Sequence, residues 1–152
     1  MKLSRIFTPI FVLFTSVHSQ QNVSYDQTYD DGSHSLATVT CSDGPNGLMT
    51  KGYNTFQDVP FPYLGGGPGV SFNSPDCGTC VNLTYDGNSV TVELVDEADF
   101  SYNIGLKAMN VLTGNQAKFL GRVLATAAPV PCWPQVCKLP WMLTTLFFMP
   151  IF

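Results

Sequence analysis

Residues 81–95 read Val81-Asn82-Leu83-Thr84-Tyr85-Asp86-Gly87-Asn88-Ser89-Val90-Thr91-Val92-Glu93-Leu94-Val95. Two runs of alternating apolar residues flank Asp86-Gly87-Asn88, a tight-turn signal because glycine tolerates positive φ. The stretch predicts a β-hairpin with arms at Val81–Tyr85 and Ser89–Val95. Val81, Leu83 and Tyr85 share one face, as do Val90, Val92 and Leu94, while Asn82 and Thr84 face outward. Working outward, Leu106, Met109 and Leu112 form a helical stripe that Gly114 stops. A shorter helical piece is expected at Gln116–Leu120, and a closing strand at Arg122–Ala128. Upstream, Val23–Tyr25 and the alternating Leu36–Cys41 read as short strands. Gly65–Gly69 reads as a plain loop, because no Lys-Ser/Thr follows to make it a phosphate cradle. Thirteen glycines and eleven prolines among 152 residues fit many turns and short strands. The whole is a compact, mainly β barrel or sandwich with two or three short helices.

Composition narrows the function. Charged residues make up 12%, about half the usual share of roughly 25%. The net charge is −4, and two of the seven cations, Lys2 and Arg5, sit at the extreme N-terminus. An acidic surface repels phosphate backbones, so no nucleic-acid partner is expected. Lys2 and Arg5, the apolar Ile6–Phe14 and the cleavable Val17-His18-Ser19 read as a signal peptide over residues 1–19. The chain is therefore expected to be secreted, extracellular or in the cell wall, with Asn22-Val23-Ser24 and Asn82-Leu83-Thr84 as glycosylation candidates at Asn22 and Asn82.

The domain is expected over residues 20–138. Leu139–Phe152 forms an anomalous apolar tail without a charged side chain, too short to span a membrane. A further strand and a lipid-anchor signal compete there with an error in the gene structure beyond about Pro131, and the last also explains an odd cysteine count.

The chemistry-bearing residues are few. Once the leader is removed, His34 is the one remaining histidine, in a polar loop beside Ser33 and Ser35, and it reads as solvated. No metal or cofactor is expected. Cys77-Gly78-Thr79-Cys80 has redox or zinc spacing, but in a secreted chain two neighbouring cysteines bonded to different distant partners is the simpler expectation. Spacing alone does not choose among the pairings of five cysteines. Asp96, at the end of the hairpin, is a candidate general base or sugar-hydroxyl acceptor, or else part of a solvated acidic turn.

Several blocks occur together in order: Val23-Ser24-Tyr25-Asp26, Cys41-Ser42-Asp43-Gly44 followed by Gly47-Leu48, and Ser74-Pro75 before Cys77-Gly78-Thr79-Cys80. Val95-Asp96, Asn103-Ile104 and Gly121-Arg122-Val123 follow. This pattern resembles the cerato-platanin family of small secreted fungal proteins, over about Val23 to Val130. The resemblance implies a six-stranded, disulfide-bonded double-ψ β-barrel related to the first domain of expansins. Carried over from it are the bridges Cys41–Cys77 and Cys80–Cys137, with Cys132 the competitor for the fourth place. It also implies binding of chitin oligomers or other cell-wall glycans through Tyr25, Asp26, Asp43, Asn46, Asp96 and Asn103. Tyr25 would stack on a sugar ring, and Asp43 and Asn46 have turn formation as their competing role.

Where the expansin-type His-Phe-Asp would follow Asp96, this chain has Tyr102-Asn103-Ile104. Asn103 bonds a sugar but does not shuttle protons, so a groove that binds glycan without cutting it is expected, not an enzyme. Phe72 and Val81 stand where family members commonly carry tryptophan. The expected role is plant-defence elicitor or virulence effector, detected by a plant receptor. An expansin-like wall-loosening protein and a surface-active hyphal coat protein are the alternatives.

Overall fold

The computed structural model describes residues 19–60 and 62–132. The leader up to residue 18, the apolar tail and Cys137 lie outside them. Six strands form a closed barrel: β1 (Ser19–Tyr25), β2 (Leu64–Gly67), β3 (Cys80–Tyr85), β4 (Asn88–Glu97), β5 (Tyr102–Ile104) and β6 (Arg122–Val130). They run round it in the order β1-β5-β2-β4-β3-β6. The β1–β5 and β2–β4 pairs are parallel and the other four pairs antiparallel. This is the barrel that the resemblance implies. Two helices, α1 (Leu106–Thr113) and α2 (Ala117–Leu120), precede the closing strand, and α1 packs on β4.

The hairpin at 81–95 forms as its pattern dictates. The turn is tighter than three residues: Asn88 pairs with Tyr85, leaving Asp86 and Gly87, both at positive φ (46° and 81°). That conformation matches the right-handed twist of the arms. Val90, Val92, Leu83 and Val81 turn inward and meet Met109 and Leu112 from α1 in one apolar core.

Two secondary-structure expectations fail. Leu36–Cys41 is not a strand: Leu36–Thr38 is a 3-10 turn, capped by the Ser35 side chain, which accepts from the Ala37 N–H. Leu36 and Val39 are both buried, and a spacing of three suits that turn as well as alternation suits a strand. Gly65–Gly67 is not a loop but most of β2. A Cβ on Gly66 would lie 2.8 Å from the Glu97 carbonyl oxygen, and one on Gly65 would lie 2.7 Å from that of Asn103. Glycine is required because neighbouring backbones close in on both sides.

Two disulfides tie the loops to the barrel. Cys41–Cys77 forms as expected. The second bridge is Cys80–Cys132, not Cys80–Cys137. Antiparallel register sets Cys80 opposite Val130, which brings Cys132 beside it with a Cα separation of 5.2 Å. Cys132 therefore belongs to the fold and is not the surplus cysteine.

Glu93 is the one acidic residue among the described buried polar groups, 5% exposed. Burial raises its pKa from 4.5 to about 7 against the opposing pull of Lys51. The folded chain thus holds this proton more tightly than the unfolded one. Stability from this group is full below about pH 4.5, falls as pH rises to about 7, and is level above. The lowered pKa values of Asp26, Asp31 and Asp58, caused first by hydrogen bonds from nearby N–H and hydroxyl donors, act only below about 3.8. Urea unfolding at about pH 5 and pH 7.5 is expected to show wild type losing on the order of 3 kcal/mol, and Glu93→Gln losing far less. Gly66→Ala is expected to cost about 1–3 kcal/mol, read as a lower urea midpoint.

Candidate functional site: a polar row across four strands

Strand register places Ser24, Asn103, Gly66 and Asp96 side by side across β1, β5, β2 and β4. Val23, Ile104 and Val95, the immediate neighbours of Ser24, Asn103 and Asp96, are fully buried. These three polar side chains therefore point away from the core. Gly66 contributes no side chain, so the row is a trough one strand wide with an amide on one bank and a carboxylate on the other. Adjacent strands lie about 4.8 Å apart, so the Asn103 and Asp96 backbones are roughly 10 Å apart.

Asp96 is half-buried and anchored. Its Oδ1 accepts from the backbone N–H of Thr40 (2.9 Å) and of Glu97 (2.9 Å), and its Oδ2 accepts from the Tyr29 hydroxyl (3.2 Å). A carboxylate has about four acceptor sites, so one remains, on Oδ2. Burial, and then the Asp96 charge, raises the Tyr29 pKa far above the usual phenol value. Tyr29 thus stays a donor and fixes the carboxylate in place. Across the trough, the Ser24 hydroxyl donates to Asn103 Oδ1 at 3.3 Å, which turns the Asn103 amide N–H₂ toward other acceptors. The row carries one carboxylate, where inverting glycosidase chemistry needs an acid and a base.

The other expected residues divide. Tyr25 pairs with Ile104 at the end of β1 and is half-buried, packed partly against the core. Asp26 follows, its N–H donating to the Ile104 carbonyl (2.9 Å). Its carboxylate caps the 3-10 turn at Gln27–Asp30 by accepting from the Thr28 N–H. Asn46 ties its turn to the next loop, since its N–H donates to Asn73 Oδ1 and its side-chain amide to the Asn73 carbonyl, both at 2.9 Å. Asp43 stands exposed in that turn, whose backbone doubles back from Asp43 to Gly47. Just before this turn the chain is tied to β4, the Thr40 N–H donating to Asp96 Oδ1 (2.9 Å) and the Cys41 N–H to the Val95 carbonyl (3.1 Å). Turn formation thus accounts for Asn46, and the row takes in Asp96 and Asn103 with Tyr25 and Asp26 at its edge.

Sequence reasoning missed Tyr29, Thr40, Ser24 and Gly66. Ser24 and Gly66 had visible signals, as a sequon residue and part of a glycine run. Tyr29 and Thr40 had none, because they meet Asp96 across 67 and 56 residues of chain.

His34 tilts onto the Phe56 ring and bonds Thr38, a packing role. Cys77 and Cys80 each belong to a separate disulfide, so neither forms the redox or zinc pair its spacing suggested. Asn22 is exposed on β1. Asn82 is half-buried, donates to Thr91 Oγ1 (3.1 Å) and accepts from Thr84 (3.3 Å), so it is less open than the hairpin pattern implied. Among the described residues, no helix is long and apolar enough to cross a membrane. A separate hollow of about 440 Å³ lies elsewhere, between Tyr102, Leu94, Cys80 and Val130.

Comparison with known proteins agrees with this geometry. The cerato-platanin family model matches residues 21–138. The heat-stable 19 kDa antigen of Coccidioides immitis is 44% identical over 129 residues, covering 82% of this chain and 88% of that protein. Cerato-platanin of Ceratocystis fimbriata f. sp. platani is 38% identical over 97 residues, 62% of this chain and 71% of that one. Among solved structures, cerato-platanin 3 from M. perniciosa superposes with a TM-score of 0.70 at 43% identity, covering 74% of this chain and 94% of that one. The solution structure of the fungal elicitor cerato-platanin gives 0.64 at 36% identity, covering 72% and 91%. With its barrel, its two bridges and a family match spanning most of its length, the chain belongs to the cerato-platanin family.

Proposed function

We propose that this protein is a secreted, non-catalytic binder of chitin oligomers or other cell-wall glycans, acting as an elicitor or effector that a plant receptor detects. The observation that carries the reading is the Ser24–Asn103–Gly66–Asp96 row. A fixed carboxylate with one free acceptor site suits a sugar hydroxyl, and an oriented amide suits an acetamide carbonyl. The side-chain-free floor lets a ring approach the backbone. A lone carboxylate supports binding without cleavage. The disulfides fit an oxidising extracellular setting, and the elicitor description of one structural relative supports the plant-facing role.

One observation favours a surface-active role as the second reading. Phe100, Phe119 and Phe72 are 90%, 87% and 63% exposed, an apolar display suited to an air–water or wall surface. Foam and surface-tension measurements without glycan separate it from the first reading.

Titration calorimetry with chitin hexamer tests the leading reading. Asp96→Ala and Asn103→Ala are each expected to weaken binding about tenfold or more, the loss of a hydrogen bond to a charged or oriented group. Asp43→Ala is expected to stay within about twofold, since Asp43 is not a member of the row. Equal losses in all three variants, or none, would refute the assignment. Tyr29→Phe is expected to lose about 1 kcal/mol of stability and to weaken binding through a less fixed Asp96. Reducing-end assays on chitin and cellulose are expected to show no release above a protein-free blank.

A further inference from the structure

Cys80 and Glu93 are paired directly across β3 and β4, so their side chains share one face of the barrel wall. A Glu93 carboxylate oxygen and the sulfurs of Cys80 and Cys132 all lie within 4.8 Å of one another. The two residues differ in exposure: Cys80 is 3% exposed, whereas Cys132 is exposed, its sulfur resting 3.4 Å from the Gly78 carbonyl oxygen. On the other side, Lys51 exerts an opposing charge on Glu93 and reaches the Cys77 carbonyl at 3.4 Å. Gly78 lies against both groups, since a Cβ there would sit 3.4 Å from Lys51 Nζ and 3.5 Å from Glu93 Oε1, ordinary contact distances. Asp76 lines the 440 Å³ hollow onto which Cys80 opens. A buried carboxylate is costly, and nothing in the polar row uses this one.

We propose that Cys80–Cys132 is an exchangeable disulfide, opened by thiols at Cys132, in which Glu93 donates a proton to the departing Cys80 sulfur. A thiolate attacks Cys132 Sγ, forming a mixed disulfide, while the Cys80–Cys132 bond breaks and its electron pair stays on Cys80 Sγ. Glu93 passes its proton to that thiolate, leaving Cys80–SH and a Glu93 carboxylate. A second thiolate then attacks the mixed disulfide on the sulfur of the first thiol. The oxidised thiol departs as its own disulfide and Cys132 leaves as a thiolate that water protonates. Two thiols are oxidised and one protein disulfide is reduced.

In reverse, the Glu93 carboxylate takes the proton from Cys80, restoring the nucleophile that closes the bridge. The asymmetry follows from burial. Charge emerging on the buried Cys80 would be poorly solvated, and proton transfer moves it to Glu93, which feels the Lys51 charge. Burial keeps Glu93 protonated up to about pH 7, so the donor is loaded in weakly acid conditions. The other bridge has no such arrangement: Cys41 and Cys77 are 0% and 3% exposed, with neither sulfur open to attack.

The test is reduction of the folded protein by dithiothreitol, quenched by alkylation and mapped by mass spectrometry, with rates divided by thiolate concentration. Cys80–Cys132 is expected to open about tenfold or more faster than Cys41–Cys77 while circular dichroism is unchanged. Its normalised rate is expected to fall as pH rises through about 7, and Glu93→Gln to be slower by about tenfold near pH 6 with a flat profile. A purely structural role for Glu93 gives the opposite sign in wild type. Protonated Glu93 stabilises the fold, so bridge opening would then slow at low pH. That sign, simultaneous reduction of both bridges, or an unchanged rate and profile in Glu93→Gln would overturn the proposal.

Discussion

The barrel depends on a strand that carries almost no side chains. Gly65, Gly66 and Gly67 run between β4 and β5 with backbone carbonyls and the Leu94 and Tyr102 side chains so close that a Cβ would meet them at 2.7–3.2 Å. This close approach lets β2 pair in parallel with β4 and antiparallel with β5, joining the chain's two halves. The polar row is a by-product of the same constraint. A strand too crowded for side chains becomes the floor of a trough, and its neighbours supply the banks.

Asp96 shows how structure and function share one group. Three donors hold its carboxylate: one from a 3-10 turn, one from the Thr40 loop and one from the next residue. Those bonds pin the N-terminal loops onto the barrel wall and leave a single acceptor position facing out. An acid so tied suits recognition better than proton transfer. A catalytic carboxylate must exchange its proton with substrate, whereas three acceptor positions of this one are already taken by protein donors.

Three residues earlier on the same strand, Glu93 has the opposite environment. It is buried beside a disulfide with a lysine charge for company, and the fold loses stability wherever its proton leaves. The contrast separates two kinds of acidic residue in one strand, three positions apart. One is satisfied by backbone and hydroxyl donors at the surface, and the other is strained by desolvation within the wall.

The sequence by itself determined the elements whose signal is local. The hairpin at 81–95 and the helix ending at Gly114 follow from alternation, turn chemistry and helical spacing, which need only a few adjacent residues. Motif order carried the barrel and Cys41–Cys77. Tertiary structure alone decided the rest. The Gly65–Gly67 run looked like a loop because its reason, backbone crowding from β4 and β5, comes from residues about 30–40 positions away. Cys132 took the fourth place because β3–β6 register set Val130 opposite Cys80, and no spacing rule encodes that. Tyr29 joined Asp96 for the same reason. Contacts across long loops are fixed by barrel closure, whose free energy is spread over the whole core and leaves no mark on any short stretch of chain.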